Sequence, residues 1–217
     1  MKRYKQTLSN LCRFWLIAAL WLLPATAMAA PVKILALGSS LTQGYGLPPG
    51  TEMTALLTAK FKAAGQDIRF VNAGVSGDTS AGGLSRLDWS LADKPDAAWV
   101  ELGSNDALRG VPPEETEKNL NAILTKLRAA KVPVLLIGML SPRNLGPDYV
   151  KRFDAIYPVL AKKYGVILYP FILDGVATIP KLNQTDMMHP NPAGERIIAD
   201  KLFPYVQRLV EQVKAKK

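Results

Sequence analysis

The sequence has one cysteine, Cys12, and one histidine, His189, among 217 residues. A lone cysteine has no partner for an intrachain disulfide, and a lone histidine cannot belong to a histidine-rich metal cluster. Long apolar runs are also missing. The run FWLIAALWLL at 14–23 is ten residues long, about half of the roughly 20 that a membrane-spanning helix needs. There is no internal repeat, low-complexity tract or linker.

The N-terminus carries an address. A basic start (MKRYKQTLSNLCRF), the short apolar run and the small-residue stretch ATAMAA read together as a secretory signal peptide over 1–29. Ala27 and Ala29 supply the small residues for cleavage after Ala29. Cys12 precedes the apolar run, so a lipid anchor is not expected. Loss of the leader removes Lys2, Arg3, Lys5 and Arg13, which lowers the formal net charge from +9 to +5. It leaves 188 residues (217 less 29), enough for one domain with a sizeable core, over 30–217. That domain has no thiol for catalysis or metal binding. Its KAKK tail at 214–217 reads as a soluble end, not a nucleic-acid patch. The expected location is periplasmic or secreted, with no stable membrane anchor after cleavage.

Five apolar runs fit buried strands: VKILALG (32–38), IRFVNA (68–73), AAWVEL (97–102), VPVLLIGM (132–139) and GVILYP (165–170). They are continuous, not alternating, as in parallel strands covered on both faces. Helix-period stretches lie between and after them, at 52–64, 81–91, 114–129, 149–164 and 193–213. Strand and helix alternate throughout, which argues a doubly wound α/β sandwich. Pro112 and Pro113 before Glu114 and Glu115, and Pro192 before the last stretch, suit helix starts.

In such a sheet, ligands gather outside the carboxyl ends of the strands. The first strand exits into GSSLTQGYG, which read alone suits a structural turn, a phosphate cradle or a nucleophile. The second exits into NAGVSGDTSAGG, where Gly74 and Gly77 allow unusual backbone angles. The third exits into ELGSNDALRG, where Asn105 is either a turn residue or an amide donor toward an oxyanion. Just before the last helix, Asp186 and His189 stand three apart. A helical turn would bring them face to face, so that the carboxylate holds one imidazole nitrogen and the other takes a serine proton. The same TDMMHP stretch also suits a turn fixed by Pro190 and Pro192.

Gly38-Ser39-Ser40-Leu41-Thr42, Gly77 within SGDTS, Gly103-Ser104-Asn105-Asp106 and Asp186-Met187-Met188-His189 resemble, in order, the four blocks of the SGNH/GDSL hydrolases. The wording of the second and third blocks is similar to the family's bacterial thioesterase I, arylesterase and lysophospholipase branch. The resemblance covers essentially the whole mature chain. It implies a flavodoxin-like three-layer α/β/α sandwich with a five-stranded parallel sheet. It implies Ser40 as nucleophile, His189 as general base and Asp186 as its orienting carboxylate. The backbone N–H groups of Ser40 and Gly77 and the Asn105 side chain would form the oxyanion hole. No metal and no organic cofactor are implied. One position departs from the pattern: the family's Gly-Asp-Ser-Leu is Gly-Ser-Ser-Leu here, with Ser39 in place of the acid.

Leu47, Pro48, Leu108, Val111, Met139, Leu140, Pro142, Leu145, Met187 and Met188 follow the strands and could line an acyl channel or serve as ordinary core. Leu108, Met139, Leu140, Pro142 and Met188 are the principal substrate-contact candidates. The reading is an exported serine hydrolase of short- to medium-chain acyl esters and thioesters, including aryl esters, acyl-CoA and lysophospholipids. Its partner is a small-molecule substrate, not nucleic acid, and a monomer is the favoured state. A carbohydrate or peptidoglycan O-acetylesterase, and a noncatalytic periplasmic binding protein on the same fold, are the alternatives.

Overall fold

A computed structural model describes residues 30–216. The leader expected at 1–29 lies outside the described residues. The sheet comprises β1 (Val32–Gly38), β2 (Ile68–Gly74), β3 (Ala97–Glu101), β4 (Val134–Ile137) and β5 (Ile167–Tyr169). The strands are all parallel, in the order β2-β1-β3-β4-β5. This is the flavodoxin-type order, with its topological switch between β1 and β3.

Five long helices connect and cover the strands: α2 (Met53–Ala63), α3 (Ser80–Leu91), α5 (Pro113–Ala129), α6 (Pro147–Tyr164) and α7 (Pro192–Lys214). Two short ones, α1 (Ser40–Gln43) and α4 (Ser104–Leu108), begin at the exits of β1 and β3. Helix α2 packs on α7, while α3, α5 and α6 pack side by side. Every residue of β3 and β4 is buried, as expected for strands covered on both faces. The expected five-stranded α/β sandwich is therefore observed.

Differences from the expected boundaries have local causes. β4 starts only after Pro133, which has no N–H for the ladder, and β5 only after the left-handed Gly165 that ends α6. β2 is an edge strand, and only Ile68 in it is fully buried. The proline starts fall where expected: Pro113 opens α5 and Pro192 opens α7. Asn191 caps α7, its Oδ1 accepting from the N–H of Ala193 (2.9 Å) and Gly194 (3.1 Å). This cap fixes the chain two residues after His189.

Candidate active site

β1 delivers the chain to Gly38, where a Cβ would run into the side chains of Thr42 and Glu101. That close approach lets the chain turn at once into α1, with Ser39 at the N-cap and Ser40 first in the helix. Beneath this turn lies Glu101, the last residue of β3, 1% exposed. Its Oε2 accepts from the N–H of Ser39 (3.0 Å), the N–H of Thr42 (3.2 Å) and the Thr42 hydroxyl (2.9 Å). The Ser39 hydroxyl donates to Oε1 at 3.1 Å. Burial pushes the Glu101 carboxyl up from its ordinary range, against the lowering effect of these bonds. The residue in place of the family's acid is thus a donor to a buried acid from the next strand. Sequence reasoning had not singled out Glu101; its only signal was an acid closing an apolar run.

Ser40 is 8% exposed, and its Oγ lies 2.8 Å from His189 Nε2. His189 Nδ1 lies 2.6 Å from Asp186 Oδ2. The expected carboxylate–imidazole–hydroxyl chain is present, but the expected helical turn is not. Residues 185–189 form a turn and bend in which Met187 has φ 60°. The contact arises because Asp186 Oδ1 accepts from the N–H of Met188 (2.9 Å) and His189 (3.0 Å), an Asx-type turn that folds the chain back on the carboxylate. Gln184 closes the loop: its N–H donates to the His189 carbonyl at 2.7 Å, and its amide donates to the carbonyls of Pro190 and Tyr45. The His189 N–H, followed by the other donors on this carboxylate, holds Asp186 down at about 2, so it is an anion throughout the neutral range.

Two further strand ends face Ser40. Gly77 follows β2 with φ 81°, a left-handed backbone that favours glycine. Asn105 sits in the first turn of α4 and donates one amide hydrogen to the Asp78 carbonyl at 2.9 Å, leaving the other for the cavity. Among the described residues, no acceptor takes the N–H of Ser40 or of Gly77. These donors can meet an oxygen on a carbon attacked by Ser40 Oγ.

All of these groups border one cavity of about 740 Å³. Its walls include every principal contact candidate, Leu108, Met139, Leu140, Pro142 and Met188, together with Met187. Leu47, Pro48, Val111 and Leu145 are not on this wall. Sequence reasoning missed Tyr45, Phe171, Leu173 and Ala177, which also line it. The Tyr45 ring lies 4.9 Å, centre to centre, from the His189 ring. Among the described residues, no group of three or more His, Cys, Asp or Glu side chains could hold a metal ion. No described helix is long and apolar enough to cross a membrane.

A parallel five-stranded sheet with a serine–histidine–aspartate chain at its carboxyl edge defines a serine hydrolase of α/β class. The sequence matches the GDSL-like Lipase/Acylhydrolase family over residues 36–197. The chain belongs to this family, and by that membership is an acyl hydrolase. It is 40% identical over 198 residues to the Escherichia coli K12 protein named thioesterase 1/protease 1/lysophospholipase L1, covering 90% of this chain and 94% of that one. It is 38% identical over 186 residues to esterase TesA of Pseudomonas aeruginosa, covering 85% and 92% of the two chains. The crystal structure of AlinE4, an SGNH-hydrolase family esterase, superposes with a TM-score of 0.71 at 45% identity, covering 84% of this chain and 98% of that one.

Proposed function

We propose that the chain is an exported serine hydrolase that cleaves short- to medium-chain acyl esters and thioesters through an acyl-enzyme on Ser40. The observation that carries this reading is an unbroken Asp186–His189–Ser40 chain, with contacts of 2.6 and 2.8 Å, at the edge of a largely apolar cavity. The relatives' names, esterase, thioesterase 1/lysophospholipase L1 and arylesterase, support esters, thioesters, lysophospholipids and aryl esters as the substrate range, and acyl-CoA is the thioester we propose within it.

His189 Nε2 takes the Ser40 proton as Oγ attacks the acyl carbon, and Asp186 holds the imidazolium that forms. The former carbonyl oxygen becomes an oxyanion, received by the N–H groups of Ser40 and Gly77 and the Asn105 amide. Collapse breaks the bond to the alcohol or thiol, which leaves with the proton from His189. A water then repeats the sequence on the acyl-enzyme, releasing the acid and restoring Ser40. Leu108, Met139, Leu140, Pro142 and Met188 line the acyl path, and the cavity's volume of about 740 Å³ supports a chain well beyond acetyl.

We further propose that residues 1–29 are a leader cleaved after Ala29 and that 30–217 act as a single periplasmic or secreted domain. The basic, apolar and small-residue segments of the N-terminus support this. The deciding experiment is hydrolysis of an acyl-chain series by the purified 30–217 protein and its Ser40→Ala variant. Turnover should rise from acetyl to medium chains and disappear in the variant. A preference confined to acetyl would point to an O-acetylesterase, and turnover surviving in Ser40→Ala would reject the serine mechanism.

A further inference from the structure

Three strand exits must hold the proposed oxyanion donors in register, and Asp78 together with Arg86 touches structure from all three. Its carboxylate Oδ2 receives Arg86 Nε at 2.6 Å. The same guanidinium donates through Nη2 to the Gly38 carbonyl at 2.9 Å, two residues before Ser40. The Asp78 carbonyl accepts from Asn105 Nδ2 at 2.9 Å. Asp78 also directly follows Gly77, whose carbonyl is held by Arg109 Nη2 at 2.8 Å.

This ion pair differs from the other arginine and lysine bridges. Its side chains are 21% and 18% exposed, whereas each of the others has at least one partner above a third. Low exposure strengthens a charge-assisted bond and raises the cost of removing one partner. The planar guanidinium suits the task, since it donates in two fixed directions from one rigid group, which a lysine ammonium on a flexible stem does not. The carboxylate lies against the first turn of α3, where a Cβ on Gly82 would run into Asp78 Oδ1. Arg86 lies further along the same helix, so α3 supplies both the niche for the acid and the base that grips it.

We propose that Asp78 and Arg86 are positioning residues that set the spacing between the Ser40 and Gly77 N–H groups and the Asn105 amide. This rests on the acyl-hydrolase reading of the same site. Neither residue lines the cavity, so neither touches the reacting atoms; they act through the peptide that joins Gly77 to Asp78 and through the exit of β1. An oxyanion hole depends on geometry at the level of an ångström or less. A loosened tie therefore weakens transition-state binding while leaving the acyl pocket alone.

The test uses Arg86→Lys and Asp78→Asn in the 30–217 protein, assayed on an aryl ester and on its thiono counterpart, in which sulfur replaces the carbonyl oxygen. Sulfur is a poor hydrogen-bond acceptor, so the thiono rate depends less on the oxyanion donors. Each variant should lose about tenfold to a hundredfold in kcat on the oxygen ester. KM should change little, and the ratio of oxygen to thiono rates should fall. The double variant should be no worse than the weaker single, because the pair acts as one unit. Folded variants that keep wild-type kcat, or that lose both rates equally, would overturn the proposal. An independent readout is the amide resonance of Gly77, which should move in Arg86→Lys relative to wild type. An unmoved resonance in the folded variant overturns the tie whatever the turnover. Absent ester turnover by the wild-type protein would count against the hydrolase reading, leaving the tie to stand or fall on that resonance.

Discussion

The Ser39 hydroxyl donates to the Glu101 carboxylate at 3.1 Å, and the Ser39 N–H donates to the same group at 3.0 Å. Glu101 thus grips the turn that presents Ser40 from directly beneath it. An aspartate at 39 would bring a second carboxyl against the first, and two carboxyls in contact cannot both ionise freely. The departure from the family pattern leaves this buried site with one acid and a donor for it.

The adjacent serines should separate cleanly. Ser40→Ala should abolish nearly all turnover, whereas Ser39→Ala should keep a substantial fraction, since the Ser39 N–H still anchors the turn. Ser39→Asp should fold, with one carboxyl holding a proton. Its stability relative to wild type should then decline as pH rises, because a raised carboxyl loses its proton only at the expense of the fold. Mass spectrometry of the acyl adduct and thermal melts across pH check both statements. An adduct on Ser39 would reverse the assignment.

Removing the grip should cost both stability and rate. In Glu101→Met the buried N–H groups of Ser39 and Thr42 lose their acceptor, at about 1 to 3 kcal/mol for each unsatisfied group. Glu101→Gln can present its amide oxygen where Oε2 stood, so it should be the milder variant in both Tm and kcat. Equal behaviour of the two would mean that these hydrogen bonds do not hold the turn.

Much of this arrangement was legible in the sequence. The run at 32–38 reads as a strand because both faces are apolar, and β1 has those bounds. Asp186 and His189 were legible as a pair by spacing, although the Asx turn that joins them differs from the helical turn the spacing suggested. One-turn helices such as α1 and α4 are too short to show a period. Tyr45 and Phe171 were not legible as cavity walls, because they meet the site only through loop paths. Glu101 reads as the polar end of a strand, and its burial follows from β3 lying between β1 and β4. Arg86 looks like an ordinary helix-surface cation until the exits of β1 and β2 are brought beside it.

A second buried acid should contribute to a fall in stability between mildly acid and mildly alkaline pH. Glu195, in the first turn of α7, is 1% exposed, and its Oε2 has no partner among the described residues. Burial pushes its pKa up to about 8 from 4.5. Between those values the folded chain holds a proton that the unfolded chain has released. Its favourable contribution is therefore fully present below about 4.5 and is lost as pH rises through about 8. Across that window stability falls by up to about 1.4 kcal/mol per pH unit. Glu195→Gln should remove this group's share of the slope, so that its Tm advantage over wild type grows from about pH 5 to about pH 8. A constant Tm difference would show that Glu195 does not carry the proton.

Asn105→Ala should lower kcat by roughly a hundredfold to a thousandfold, the usual effect of losing one oxyanion donor. The variant also frees the Asp78 carbonyl, which Asn105 holds at 2.9 Å, so part of the loss comes through Gly77. Asn105→Asp distinguishes the two contributions, since it keeps the size but places an acceptor toward both oxygens. It should be at least as impaired as the alanine variant. A better rate for Asn105→Asp would mean that the side chain fills space and donates nothing.

His189 is the only imidazole in the chain, so every histidine-directed probe reports on one atom pair. Its Nε2 faces Ser40 Oγ and its Nδ1 faces Asp186 Oδ2, which fixes the tautomer with the proton on Nδ1 and leaves Nε2 to accept. His189→Ala should lose most turnover at neutral pH. Asp186 stays ionised there, since the His189 and Met188 N–H groups hold its pKa at about 2. What it adds to stability is present above its ordinary 3.8 and is lost as pH falls through about 2. Asp186→Asn keeps a hydrogen-bonding group beside the ring but can favour the wrong tautomer, a change that elsewhere costs about ten thousandfold in kcat. Stoichiometric acylation of the single imidazole should abolish ester hydrolysis in wild-type protein. Full activity after complete modification would remove His189 from the reaction and with it the proton path from Ser40.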